Sequence, residues 1–319
     1  MAKMVFEEKT FDLQQINLRT VTDPAGLIAE CDAEYNAQVG AAADAIAEHR
    51  RESPIVLLCG PSGSGKTTTA QKLKDALERR GVRAWSVSMD NYYRTLDPKT
   101  VPRTENGDMD LESPLCLDIQ LLNEQFNAIS RGERVFVPKF EFARQIRSTG
   151  YSMELQAGKQ DVVLFEGIHA FNQEITSRHP EAFKLYITAC ANVALDGKVV
   201  FTGPWTRLVR RTVRDYQFRS WDPAETIAMW ANVRRGEHLY ISPYKRQADW
   251  TINTSFQYEY PVMNRLATQL FASIPEGVER YEELRGLLPA IQMFGIIDEK
   301  YVAPDAMIRE FIGGGIYER

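Results

Sequence analysis

Between an apolar run, Ile55-Val56-Leu57-Leu58-Cys59, and a stretch with helical patterning, the chain carries Gly60-Pro61-Ser62-Gly63-Ser64-Gly65-Lys66-Thr67. This octet fits G-x-x-x-x-G-K-[ST] and constrains the fold more than any other segment. Its glycines let successive backbone N–H groups turn inward around an anion, and the helix that follows aims its positive dipole end at the same point. Such a loop needs a buried strand before it and a helix after it. Both are predicted here, a strand over 55–59 and a helix from Thr67 to Arg80 closed by Gly81. The spacing assigns Lys66 to the β- and γ-phosphates of a polyphosphate and the Thr67 hydroxyl to Mg²⁺. The expected cradle is Gly60, Pro61, Ser62, Gly63, Ser64, Gly65, Lys66, Thr67 and Thr68.

The segments around this loop alternate in character. Val82 to Met89 reads as a strand, and the Pro-, Asp-, Glu- and Asn-rich stretch 94–114 as a long surface loop. Leu117 to Ile129 reads as a helix with Asp118 near its start; Val135 to Val137 is a short strand, and 138–150 a second loop. Asp161 to Phe165, Lys184 to Thr188 and Asp249 to Asn253 are predicted strands, with helices at Trp205 to Arg219 and Val262 to Phe271. Strands alternating with helices imply an α/β fold with a doubly wound, mainly parallel sheet and flanking helices. The expected organisation is an N-terminal helical extension (1–51, with Ala-rich Ala41 to Arg50), a core domain (52–274), and a C-terminal extension (275–319) packed on it. Nothing in that last segment suggests chemistry.

Composition narrows the partners. Lys and Arg number 38 against 43 Asp and Glu, a net charge of −5, so no global positive field draws the chain to nucleic acid or an anionic membrane. Affinity for phosphate must therefore be local. Cys31, Cys59, Cys116 and Cys190 fit no metal or redox spacing and read as reduced thiols, and MAKMVFEEKTFDLQQ lacks the apolar core of a signal peptide. A cytoplasmic location is expected, with no nucleic-acid or membrane partner; a homo-oligomer is compatible with the sequence but not specified by it.

Candidate reactive residues lie beyond the strands. Asp90 follows the second predicted strand in Ser88-Met89-Asp90-Asn91-Tyr92-Tyr93. Open α/β sheets bind ligands at the carboxyl ends of their strands, so Asp90 is expected to face the cradle, as a base for an attacking hydroxyl or as a water-mediated Mg²⁺ ligand. A turn-capping Asp is the plainer alternative. Glu166 ends the apolar run Val162 to Phe165, the arrangement that places a carboxylate near a bound metal. Arg207, Arg210, Arg211 and Arg214 fall at i, i+3, i+4 and i+7 on one helix face, either a solvated face paired with Asp215 and Asp222 or an arginine clamp on phosphate. The loop itself does not decide between a hydrolase or switch, which positions water, and a kinase, which needs an acceptor pocket and a base.

In order along the chain, GPSGSGKTT at 60–68, SMDNYY at 88–93, MDLESPLCLD at 109–118, PKFEF with Arg147, DVVLFEGIHAF at 161–171 and RLVRRTVRD at 207–215 resemble the uridine–cytidine kinase and phosphoribulokinase family of P-loop kinases. The resemblance implies a P-loop NTPase fold with an arginine-rich lid helix, using ATP and Mg²⁺ to phosphorylate a nucleoside 5′-hydroxyl. It makes Asp90 the base, Glu166 the acid near Mg²⁺, and Lys66 with Arg211 and Arg214 the groups that neutralise developing charge. Arg207, Arg210 and Arg219 join the donor side. Glu112, with Asp110 as second candidate, matches the acid that binds ribose hydroxyls; Tyr93, Phe140 and Arg147 complete the acceptor pocket.

Three positions depart from the pattern. Gln145 stands where uridine–cytidine kinases have a base-contacting His, Trp221 replaces a further lid Arg, and Glu112 is one methylene longer than the usual Asp. The ending IREFIGGGIYE resembles a bacterial nucleoside kinase subgroup whose longer members carry an N-terminal domain related to threonyl-tRNA synthetase, a domain expected to be missing here. The alternatives are another small hydroxyl acceptor (sugar phosphate, glycerate or pantothenate) on the same fold, or an ATP-dependent switch without transfer.

Overall fold

The chain enters through β1 (Thr10–Asp12), α1 (Leu13–Thr22) and α2 (Pro24–His49). Asp12 and Asp23 start the two helices by accepting hydrogen bonds from the Gln15 and Gly26 amides. The computed structural model describes residues 9–279 and 281–317. Next come β2 (Ile55–Cys59), α3 (Lys66–Glu78), β3 (Ala84–Ser88), α4 (Ile119–Ser130), β4 (Val135–Glu141), β5 (Ile146–Leu155) and β6 (Val162–Glu166). Then follow α5 (Gln173–Thr176), β7 (Phe183–Thr188), β8 (Asn192–Leu195), β9 (Lys198–Phe201), α6 (Gly203–Arg219) and α7 (Pro223–Gly236). The chain closes with β10 (Trp250–Asn253), α8 (Glu259–Ala272), α9 (Tyr281–Gln292) and α10 (Arg309–Ile312).

The central sheet has the order β10-β7-β2-β6-β3, and every neighbouring pair is parallel. Parallel strands covered on both faces read as continuous apolar runs, and β2 is buried at all five positions. Its side chains alternate between two cores. Val56 and Leu58 join Leu73, Leu164 and Ile187 on one face, whereas Ile55, Leu57 and Cys59 join Phe126, Phe165 and Tyr186 on the other. The first of these cores also takes in Leu27 and Tyr35 of α2 and Met307 and Phe311 near the C-terminus. The α/β class and the parallel sheet agree with the sequence reading.

Two features depart from that reading. Residues 138–150, expected as loop, belong largely to an antiparallel hairpin of β4 and β5; β5 is mostly exposed, so it lacks the apolar run that marks a buried strand. Helix α7 was not anticipated, although Asp222-Pro223-Ala224-Glu225 spells its start: Asp222 and Glu225 form a capping box. The Ala-rich stretch from 41, expected as helix, is helical and closes the 26-residue α2. A small second sheet, β1-β8-β9, joins the N-terminal strand to the segment before α6.

Registry brings the chemistry to one edge. Glu166, the last residue of β6, lies opposite Leu58 of β2 on one side and Ser88 of β3 on the other. The loop 60–65, Glu166 and the turn after β3 therefore share the carboxyl end of the sheet. Among the described residues no helix is long and apolar enough to cross a membrane.

Candidate active site

The loop from β2 to α3 turns through Gly63 (φ 76°) and Gly65 (φ 81°), both in the left-handed region where a side chain would be strained. Gly65 also serves as the N-cap of α3, which begins at Lys66. Lys66 Nζ donates to Pro61 O across the loop at 3.1 Å. Thr67 Oγ1 donates to Glu166 Oε1 at 3.4 Å. The hydroxyl and carboxylate expected near a metal are thus neighbours, although 99 residues separate them in the chain.

Asp90 sits in a 3₁₀ turn, Met89–Tyr92, that caps the end of β3; its amide donates to Ser88 Oγ at 3.3 Å. Removal from water pushes both Asp90 and Glu166 above the ordinary carboxylate range. Repulsion from Asp90 adds to the rise at Glu166, while Lys66, Arg219 and Arg214 pull Asp90 back down. Two recessed carboxylates and a hydroxyl around a lysine form a site that a hard cation would relieve. Among the described residues no group of three or more His, Cys, Asp or Glu converges as a metal cage. One hydroxyl and two carboxylates suit Mg²⁺, which keeps most of its water and takes phosphate oxygens as further ligands. Thr67, Glu166 and Asp90 therefore fit the ion.

The helix α6 divides its arginines between two tasks. Arg210 is fully buried, and its guanidinium is consumed by protein: Nε to Glu259 Oε2 at 2.6 Å, Nη2 to Glu259 Oε1 at 3.0 Å and Nη1 to Gly63 O at 3.1 Å. It braces the phosphate loop from behind. Arg207 does the same at the loop's other shoulder, donating to Ser62 O at 3.2 Å while paired with Glu237 at 2.6 Å. Arg211 donates to Ser62 Oγ at 2.9 Å. Arg211, Arg214 and Arg219 all reach Asp215, at 3.3, 2.7 and 3.4 Å. One buried carboxylate thus gathers three cations, a surplus of positive charge beside Asp90. Partial removal from water and the neighbouring arginines lower Arg219 to about 10.

On the acceptor side, Tyr93 and Phe140 pack with ring centroids 5.5 Å apart. Glu112 is half-buried and, driven mainly by desolvation, is pushed up to about 7. Its side chain lies so close to Gly236 of α7 that a Cβ there would fall 2.4 Å from Glu112 Cβ. Asp110 is buried and accepts from Tyr240 at 2.9 Å, with Arg235 at 2.7 Å. Gln145 is exposed at the tip of the β4–β5 hairpin with φ 54°, its carbonyl accepting from the Leu96 amide at 3.0 Å. Arg147 does not reach outward: Nε donates to Tyr93 O at 3.0 Å, Nη1 to Asp118 at 2.8 Å and Nη2 to Tyr92 O. It pins the turn that carries Asp90.

Sequence reasoning passed over the partners that orient these groups. Glu237, Arg235 and Tyr240 stand in or just after α7 and Glu259 opens α8, and which arginine or carboxylate each would bind depended on packing. His169, in DVVLFEGIHAF, is buried beside the Glu112 backbone, and burial lowers it to about 4, so it is neutral.

A family model described as the phosphoribulokinase/uridine kinase family matches residues 55–258. The chain belongs to that family. It is therefore a kinase, a nucleotide-binding transferase acting on a hydroxyl acceptor. A uridine kinase of Deinococcus deserti is 28% identical over 222 residues, which cover 69% of this chain and 96% of the relative. Among solved structures, a candidate fructose transport system kinase of Silicibacter sp. TM1040 superposes with TM-score 0.49 at 22% identity, over 67% of this chain and 98% of that one. A D-glycerate 3-kinase of Cryptococcus neoformans superposes with TM-score 0.37 at 17% identity, over 84% and 89%.

Proposed function

We propose that this kinase transfers the γ-phosphate of ATP to the 5′-hydroxyl of a nucleoside. The observation that carries the reading is the setting of Asp90: a recessed carboxylate beside Lys66, Arg214 and Arg219, at the same sheet edge as the phosphate loop. A switch that only hydrolyses needs no such base facing an aromatic and acidic pocket. The likeness to a uridine kinase supports a nucleoside as acceptor.

The steps follow from the groups present. Backbone amides of 60–68 and Lys66 hold the polyphosphate, and Thr67 and Glu166, with Asp90 through water, are the residues that would hold Mg²⁺, which when bound would neutralise charge on the phosphates. Glu112 accepts hydrogen bonds from sugar hydroxyls, and Tyr93 with Phe140 offers an apolar wall. Asp90 takes the proton of the attacking hydroxyl, and Arg211, Arg214 and Arg219 stabilise the charge that develops during in-line transfer.

A second reading is favoured by one observation. Gln145 is exposed and Arg147 is spent on backbone carbonyls, so the groups expected to read a pyrimidine do not line the pocket. On the side away from the arginine helix, Asp110 and Glu112 remain with Arg235, which is already paired with Asp110. That balance suits a neutral polyhydroxyl acceptor and opposes a carboxylate or sugar phosphate. The test is an ADP-release panel of nucleosides, free sugars, glycerate and sugar phosphates with the wild type and Asp90→Asn. A nucleoside should be the best acceptor, and Asp90→Asn should lower its kcat roughly 10²–10⁴-fold with ATP binding retained. Preference for an anionic acceptor, or an unchanged kcat in the variant, would defeat the assignment.

A further inference from the structure

The first turn of α3 presents backbone N–H groups with no partner inside the helix. Lys66 and the Thr67 hydroxyl serve the terminal phosphates and the metal, which leaves the next amide, Thr68, to the phosphate nearest the nucleoside. That amide is already engaged. Thr68 N donates to Glu310 Oε2 at 3.1 Å, a contact spanning 242 residues.

Glu310 is not there by chance of a loose tail. Arg309 ties residues 299–313 into a knot by donating to Glu299 O at 2.8 Å, Val302 O at 2.6 Å and Gly313 O at 3.0 Å. On one side of Glu310, Met307 packs so closely on Gly65 that a Cβ there would meet its sulfur at 2.5 Å. On the other, the Phe311 ring lies 5.0 Å from the guanidinium of Arg210, the residue that braces Gly63. Asp305 pairs with Lys72 of α3 at 3.3 Å. The C-terminal segment therefore grips the phosphate loop at both shoulders and sets a carboxylate on one of its amides.

We propose that Glu310 is a donor-selecting residue: its carboxylate holds the amide needed by a nucleotide's α-phosphate, so a nucleotide seats that phosphate only by displacing Glu310. The terminal two phosphates meet no such competitor. This rests on reading loop 60–68 as the donor site. The site then binds an inorganic pyrophosphate unit at its full strength and a nucleoside-linked phosphate at a discount.

The experiment is isothermal titration of the full chain with Mg²⁺ and either ATP or inorganic pyrophosphate, for the wild type, Glu310→Gln and Glu310→Ala. Thermal melting confirms that each protein is folded. Glu310→Ala is expected to tighten ATP roughly tenfold by freeing the amide and removing the charge. Glu310→Gln loses the charge but keeps an acceptor, so it should tighten ATP less. Pyrophosphate should tighten clearly less than ATP in both variants, because the Glu310 charge is felt as far as Glu166 whereas its hydrogen bond occupies only the Thr68 amide. ATP affinity unchanged or weakened in a folded variant would overturn the proposal and leave Glu310 as a helix cap. Equal tightening of both ligands would overturn it too, as a general field effect. Binding of neither ligand by any of the proteins would instead overturn the donor reading of the loop.

Discussion

At the scale of single residues, the site is governed by carboxylates that burial holds above their usual titration range. Glu112 is the most informative because its value, about 7, lies far from that of an unfolded glutamate near ~4.3. Between those two values the folded chain keeps a proton that the unfolded chain has released. Stability from this group is therefore complete below the unfolded value and is lost as pH rises through about 7. Glu112→Gln cannot titrate. Its melting temperature should fall less steeply than that of the wild type from pH 5 to 8, with a relative gain on the order of 1 kcal/mol at pH 8. Parallel pH profiles for the two proteins would show that Glu112 is ionised at ordinary pH despite its surroundings.

At the scale of elements, α6 carries its arginines on two sectors with opposite consequences. Arg210 and Glu259 are both fully buried, and removing one partner strands the other charge in the core. Arg210→Ala should cost about 3–5 kcal/mol of stability, read as a lower midpoint in denaturant. Arg219 is half exposed in its pairing with Asp215, so its loss should change stability by less than about 1 kcal/mol. Arg219→Ala should instead lower kcat for phosphoryl transfer roughly 10–10³-fold, by withdrawing a cation from the developing charge. Equal stability losses in the two variants would remove the distinction. The heptad-like spacing of these arginines was visible in the chain, but their division was not. Periodicity places side chains on a helix face; it does not say which half of that face meets the loop and which meets α8.

The same limit explains the rest of what could and could not be read in advance. The loop 60–67, Asp90 and Glu166 could be set at one sheet edge because each stands at the end of a predicted strand, and parallel sheets collect ligand sites at strand ends. Gln145 and Arg147 lie on a hairpin whose second strand buries only Leu155. Local pattern is weak there, and the turn's own geometry decides that Arg147 points back to Tyr92 and Tyr93 rather than outward.

At the scale of the whole molecule, the segment after 275, expected only to pack on the kinase domain, contributes side chains to its main core. Phe311 is fully buried in the same cluster as Leu58 of β2, Leu27 of α2 and Leu208 of α6. Its ring also rests on Arg210, which in turn holds Gly63. A change at position 311 thus acts on the sheet's core and on the phosphate loop together. Phe311→Ala should cost about 3–5 kcal/mol, the usual range for a buried aromatic cut to a methyl group. For a domain of this size that corresponds to a fall in melting temperature of about 6–15 °C. Because α2 and the segment 284–312 pack into one cluster, calorimetry should show one transition displaced as a unit, with ATP affinity reduced in the folded protein at 25 °C. Two transitions, the lower one alone moving, would mean that the C-terminal segment melts independently and that the loop does not depend on it.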